Sequence, residues 1–271
     1  MKKSDKLKKS AITILFLFIL LLVFVDLPEA QVDNVLYVGS NQDYIRIQDA
    51  INNVTNGDTI FVYSGIYHEN IVIDKSINLV GEDKKSTIID GNNVGDVVLI
   101  NIASCQVNIT GFTIQNSGND LYNSGLDIDT DRVVLYDNII QYCLVGVDMD
   151  LWCHNCTLSN NIFRNNYYGL KVYSVFPNFN LIYDNNFYDN NINAFDNSNS
   201  TYFFEREGNF WDDYTGTDSN DDGIGDTVYN IPGGAVDEYP LMNPVEAPGF
   251  EFLALLLASL LIYLFCKIRK K

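Results

Sequence analysis

The chain has 271 residues, 47% of them hydrophobic, and a formal net charge of −18 at pH 7. So much apolar and aromatic content supplies a sizeable core and argues against a disordered chain. So acidic a surface repels phosphate backbones, which excludes nucleic acid as a partner, and it suits an outer surface or divalent cations.

The positive charge gathers at the two ends. Residues 1–10 are lysine-rich, and residues 11–25, AITILFLFILLLVFV, are an uninterrupted apolar run. This pattern predicts a signal peptide or an uncleaved membrane anchor over 1–30, with Pro28 poorly suited to cleavage near Ala30. Residues 31–75 read as a cap and first coil. VLYVG is a strand, and YIRIQDAINNV has apolar residues at 47, 50, 51 and 54, the spacing of a short amphipathic helix. NGD ends it, and TIFVYSGIYHENIVID returns to strand-like alternation.

Over 76–208 the sequence repeats. Gly81, Gly111, Asn138, Asn161 and Asn186 each follow a short strand, and Gly and Asn accept positive φ, so one sharp bend per repeat is expected there. Gly125, Gly146, Gly169 and Ala194 form a second series, each opening another short strand. Two or three short strands per repeat, with no intervening helices, describe the coils of a parallel β-helix. Equivalent residues then stack along its axis. Asn161 is expected to ladder with Asn138 and Asn186, and Asn166 with Asn116 and Asn191. Residues 209–245, irregular and rich in Gly, Pro and aromatics, would close the far end. Residues 246–271 hold a second apolar run, FLALLLASLLIYLFC, before KIRKK. It is shorter than the roughly 20 residues that span a bilayer. Basic ends belong in the cytoplasm, which puts the middle of the chain outside.

Three stretches carry candidate chemistry. In DSNDDGIGD the oxygens of Asp218, Asn220, Asp222, Ile224 (by its carbonyl) and Asp226 have the spacing of a calcium loop, without the usual closing Glu. The alternative is an acidic turn that needs only its glycines. Next, Asp127, Asp129, Asp148 and Asp150 alternate with Leu126, Ile128, Val147 and Met149, so all four carboxylates face outward and stack coil on coil. Lys171 and then Asp196 are expected to continue the ladder. Such a face is either plainly solvated or an acid–base pair for polysaccharide cleavage. Third, WCHNC gives Cys153 and Cys156 a C-x-x-C spacing, read as a disulfide, small turn residues or part of a metal site. Asn53, Asn108, Asn155 and Asn199 head glycosylation sequons. Tyr167, Tyr168 and Tyr173 are candidates for stacking on sugars.

The repeats, the opening IRIQDAINNVTNGDTIFVYSGIYHENIVIDKSINLVGE and the ending GNFWDDYTGTDSNDDGIGDTVYNIPG resemble the pectate-lyase-like right-handed parallel β-helix, and within it the NosD-like family. The likeness covers about 35–244 and implies an all-β, single-stranded solenoid. By that analogy alone a copper-accessory role is a third reading, with copper poorly served by one C-x-x-C. APGFEF, an apolar helix and a basic tip are similar to an archaeal PGF-CTERM sorting tail, without its Thr-rich stalk. The combined expectation is a protein of the cell surface, membrane-associated, that binds carbohydrate or other surface components without catalysis. An enzyme acting through the aspartate face is the rival.

Overall fold

The structure, a computed structural model, describes residues 34–101, 106–173, 179–198 and 200–246. The described residues fall in the second of the chain's two units, Asn34–Lys271. Both apolar terminal runs, Cys105 and Asn199 lie outside the described residues. Among the described residues no helix is long and apolar enough to cross a membrane.

The second unit is a parallel β-solenoid of about seven turns, wound right-handedly, the sense that strand twist imposes on parallel crossovers. Each full coil contributes one strand to each of three parallel sheets. One coil runs Val133–Tyr136, Ile139–Gln141 and Val145–Met149; the next runs Thr157–Ser159, Ile162–Arg164 and Tyr168–Val172. Alternation within each strand sends one set of side chains inward. Ile60, Leu79, Ile109, Leu135, Leu158 and Ile182 form one such row, in register and fully buried. Single coils cannot bury these side chains alone; stacking at ~4.8 Å per coil does.

The entrance is closed by the helix Ile47–Asn53, which buries Ile47, Ala50 and Ile51. No side chain of its own sequence caps it. Glu69 does so from the first coil, its carboxylate accepting from Ile47 N at 2.9 Å and Gln48 N at 3.1 Å, which satisfies donors that the helix leaves open. At the far end the inward rings stack. Phe163 and Phe187 lie 4.7 Å apart, Phe187 and Trp211 4.3 Å, and Trp211 and Tyr229 4.3 Å, with planes within 11° of parallel.

Gly111 bends as expected, and the bends expected at Asn138, Asn161 and Asn186 fall one or two residues earlier. Positive φ falls on Gly111, Asp137, Asn160 and Asp184, while Gly81 is not among the positive-φ residues. The residue after each non-Gly bend turns inward: Asn138, Asn161 and Asn185, then Asn209, are fully buried and laddered. Asn185, not Asn186, is therefore the partner of Asn161. Likewise Asn166 pairs with Asn190, not Asn191, and Asn116 occupies a bend at φ 59°. The expectation placed one residue in the role that two adjacent residues share.

Candidate ligand-binding face

The acidic face lies on the sheet built from Ile71–Ile73, Val98–Ile100, Ser124–Ile128, Val145–Met149, Tyr168–Val172 and Ile192–Asp196. Leu126, Ile128, Val147, Met149, Leu170 and Val172 point into the core, so the residues between them point out. One outward row reads Val72, Leu99, Asp127, Asp148, Lys171 and Phe195. A second row follows each strand. Asp129 N bonds to Ile100 O at 3.0 Å, Asp150 N to Ile128 O at 3.3 Å, and Tyr173 N to Met149 O at 2.9 Å. The four expected aspartates are thus brought together. Asp196 is not among them. Its register partner is Val172, so it points inward, fully buried, accepting from Tyr202 Oη at 3.0 Å. The reason is that Ala194 aligns with Leu170, not with Gly169, so Phe195 follows Lys171.

Within this face Asp148 is the most enclosed acid, only 8% exposed. Lys171 Nζ donates to its Oδ2 at 2.8 Å, while Oδ1 is buried and has no hydrogen-bond partner among the described residues. Burial pushes the Asp148 carboxyl up, and the Lys171 ammonium pulls it back. Asp127, with no cation on it, is pushed up to about 7, first by burial and then by Asp96, Asp148, Asp150 and Asp129. Asp129 is also raised, by burial and then by Asp150. Asp96 anchors the start of the neighbouring strand, its Oδ1 accepting from Ser124 N at 2.7 Å and Ser124 Oγ at 3.1 Å. Both carboxyls in this row are thus raised, Asp148 with a cation on it and Asp127 without one.

Apolar side chains flank the acids. Val72 and Leu99 lie on the early-coil side, and Phe195 and the half-exposed Tyr173 on the other. Of the tyrosines expected to meet sugars, only Tyr173 belongs to the two outward rows. Tyr167 and Tyr168 form their own edge-to-face pair at 5.1 Å where the strand begins. Asp96 and Phe195 are absent from the sequence-based set. The alternation in INAFDN marks Phe195 as outward once Ala194 is placed inside, whereas Asp96 sits in a loop with no periodic signal.

The remaining candidates are placed as follows. In the loop 218–226 the carboxylates accept from the loop's own donors: Asp218 from Asp222 N and Gly223 N, Asp222 from Ile224 N, and Asp226 from Ser219 and Thr217. Asn220 Nδ2 donates to Asp222. Among the described residues no group of three His, Cys, Asp or Glu side chains converges to hold a metal ion. Cys153 and Cys156 are free, buried thiols, donating to Ile128 O at 2.7 Å and Thr130 O at 3.6 Å. Burial pushes Cys156 up to about 11 and Cys153 higher still, so neither is a thiolate at neutral pH. His154 Nδ1 lies 3.2 Å from Asp131 Oδ1. Asn53 and Asn155 are exposed. Asn108 faces outward, but its Nδ2 is donated to Asn78 Oδ1 at 2.6 Å.

No protein-family model matches the sequence, and no characterised protein matches it either. Solved structures do match by shape. A pectin methylesterase from carrot aligns over 60% of this chain and 65% of its own, with 15% identity and a TM-score of 0.40. The pectin methylesterase PemA from Erwinia chrysanthemi aligns over 67% and 60%, with 14% identity and a TM-score of 0.39. One from Aspergillus niger aligns over 57% and 66%, with 16% identity and a TM-score of 0.36. The chain thus spans less than two thirds of the length of each. At these identities the likeness is one of fold alone.

Proposed function

We propose that this is an extracytoplasmic carbohydrate-binding β-solenoid, membrane-associated through its terminal apolar segments, with its ligand on the Asp127–Asp148–Lys171 face. The observation that carries the reading is the outward row itself, in which Asp127, Asp148 and Lys171 stand between Val72 and Leu99 on one side and Phe195 on the other. Carboxylates and an ammonium in one row give a polyhydroxylated ligand laid along it both acceptors and a donor. Tyr173 and Phe195 offer ring faces at the same end of the row, the kind of surface on which pyranose rings stack. A laddered face of stacked residues also suits an extended polymer better than a small metabolite.

The test is a glycan array with the purified solenoid, alongside reducing-sugar and unsaturated-product assays. Binding that Asp148→Asn abolishes, without turnover, supports the proposal. Failure of every glycan to bind removes it.

A second reading has its own observation. Asp127, with no cation on it, is pushed up to about 7 beside the Lys171-paired Asp148, and a raised carboxyl next to an ion-paired one is an arrangement that serves a general acid and its base. Under this reading the same face cleaves a polysaccharide, and Asp127→Asn abolishes turnover while leaving binding measurable.

A further inference from the structure

We infer that the outer face of the sheet that begins at Val35–Val38 lies on the lipid surface, so that the solenoid rests lengthwise on the membrane with its acidic face turned away. This rests on the membrane-associated reading and adds to it the face that meets the lipid.

The sheet is seven-stranded: Val35–Val38, Thr59–Val62, Asn78–Gly81, Val107–Thr110, Val133–Tyr136, Thr157–Ser159 and Leu181–Tyr183. In a chain of net charge −18, none of these strands contains an Asp, Glu, Lys or Arg. The other two long sheets do, with Asp127, Asp148 and Lys171 in one and Asp90 and Arg164 in the other. One outward row carries Tyr37, Phe61, Val80, Tyr136 and Tyr183, and the row beside it carries Val35, Val134 and Leu181. Thr, Asn and Ser fill the outward positions between them. Rings gather at both ends of the sheet. Tyr37 and Tyr63 lie 6.2 and 5.1 Å from Phe61, and Tyr183 lies 5.3 Å from the exposed Phe204. Charges return at the bends that border the sheet, with Glu82, Asp137 and Asp184 along one edge and Asp131 and Arg132 along the other. An uncharged surface of tyrosines, aliphatic side chains and small polar groups suits the headgroup layer of a bilayer, where amphipathic rings collect.

Lipid is the occupant because of where the chain enters and leaves. Asn34, whose N donates to Asp58 Oδ1 at 2.9 Å, leads into the first strand of this sheet. At the far end Val245 is fixed to the Asn186 side chain, its N donating to Oδ1 at 2.8 Å and its O accepting from Nδ2 at 2.9 Å. Asn186 opens the strand that follows Leu181–Tyr183, so the exit lies past the opposite edge of the sheet. The two points are six coils apart, about 29 Å along the axis. Residues 26–33 and 246–251 join them to the apolar runs 11–25 and 252–266, and at ~3.5 Å per residue these links reach at most about 28 and 21 Å. Two short links, at opposite ends and opposite edges of one uncharged sheet, hold that sheet toward whatever takes up both runs.

The full chain is reconstituted into phosphatidylcholine nanodiscs that contain a trace of lipid with a diazirine on its headgroup. After irradiation the adducts are mapped by mass spectrometry. Adducts are expected on Tyr37, Tyr63, Tyr136 and Tyr183, and not on Tyr142 or Tyr173, which are exposed on other parts of the solenoid. Equal labelling of Tyr142 and Tyr173, or adducts confined to the two terminal runs, overturns the orientation while membrane association stands. Failure of the chain to enter nanodiscs removes the membrane reading and this inference with it. Tyr136→Glu is expected to reduce labelling of the sheet several-fold and leave that of the terminal runs unchanged, whereas Tyr136→Phe keeps both. Thr110→Glu, in the same outward row, is a second variant should Tyr136→Glu not fold, as melting curves will show. Sheet labelling that survives the added charge undiminished counts against the inference. A concentration-dependent dimer in detergent, cross-linked through these tyrosines, overturns it by giving the face to a second copy of the chain.

Discussion

Asn209 gives both of its donors to one oxygen of Asp237: the backbone N at 2.7 Å and Nδ2 at 3.2 Å from Oδ2. This closes a ladder that runs through the solenoid. Asn138, Asn161 and Asn185 each donate the same pair of groups to Oδ1 of the next Asn, at 2.9–3.1 Å. An Asn inside the ladder must both accept and donate. The last member only accepts, and a carboxylate is the acceptor-only isostere. Asp237 also accepts from Trp211 Nε1 at 3.0 Å and, through its other oxygen, from Tyr239 N at 3.0 Å. Replacing Asp237 by Asn puts an amide nitrogen opposite one of these donors. The expected cost is roughly 1–3 kcal/mol for the buried donor left unpaired, read as a lower denaturation midpoint.

Asp237 also has a pH signature. Burial raises its carboxyl from 3.8 to about 6 despite four hydrogen bonds. A raised acid binds more protons folded than unfolded, so its contribution to stability is largest below about 4 and falls as pH rises through about 6. Asp127 and Asp184 are raised as well and act in the same direction. The informative quantity is therefore the difference between wild type and Asp237→Asn. The wild type is expected to show the steeper loss of stability between pH 4 and 6, measured by chemical denaturation at each pH.

An acid inside the ladder should behave differently. Asn161 Nδ2 donates to Leu135 O at 2.8 Å and to Ser159 O at 3.1 Å. In Asn161→Asp those carbonyls face a carboxylate oxygen instead. The variant is expected to lose more than Asp237→Asn does, and to lose more at pH 7 than at pH 4, where the carboxyl regains a proton to donate. Equal loss at both pH values would contradict this account.

Much of this architecture was legible in the sequence, but only to within one residue. The repeats of Asn and Gly announced stacked coils, and the alternation of Leu126, Ile128, Val147 and Met149 placed four aspartates on one outer face. The errors fall on doublets: Asn160–Asn161, Asn165–Asn166, Asp184–Asn185 and Asp189–Asn190. In each the first residue takes positive φ and the second turns inward to the ladder. Asn and Asp suit a bend, and Asn suits a ladder too, so composition cannot divide the roles. Backbone pairing to the next coil does. The same slip hid Phe195 and put Asp196 outside. The orphan oxygen of Asp148 had no sequence signal, because it depends on where Lys171 sits across the coil boundary.

Lys171 gives a fourth test. Its ammonium partners a carboxylate that is buried and already short of donors. In Lys171→Met, Asp148 is left as an uncompensated buried acid, an arrangement that costs about 3–5 kcal/mol when fully buried and less here, since Lys171 itself is partly exposed. The deficit is expected to shrink as pH falls and Asp148 protonates. Melting temperatures of wild type and variant should therefore differ more at pH 8 than at pH 5.

The cysteines yield the last prediction. Cys143 N donates to Asn166 Oδ1 at 3.0 Å, and Cys156 N to Asn180 Oδ1 at 2.9 Å. Each follows a positive-φ residue, Tyr142 and Asn155. They hold the position that Asn holds in neighbouring coils. Cys143 Sγ even donates to the carbonyl two residues back, Gln141 O at 3.3 Å, as Asn185 Nδ2 does to Tyr183 O at 2.9 Å. A thiol is a weak donor and nearly isosteric with part of the Asn side chain. Cys143→Asn should then extend the ladder through Asn166 and leave the melting temperature equal or higher. Cys143→Val, which has no donor, should lower it, with a loss of stability of roughly 1 kcal/mol for the missing bond. The opposite order would mean that Cys143 is kept for its packing against Gly125, where a Cβ on Gly125 would come within 3.1 Å of its sulfur, and that its place in the ladder is incidental.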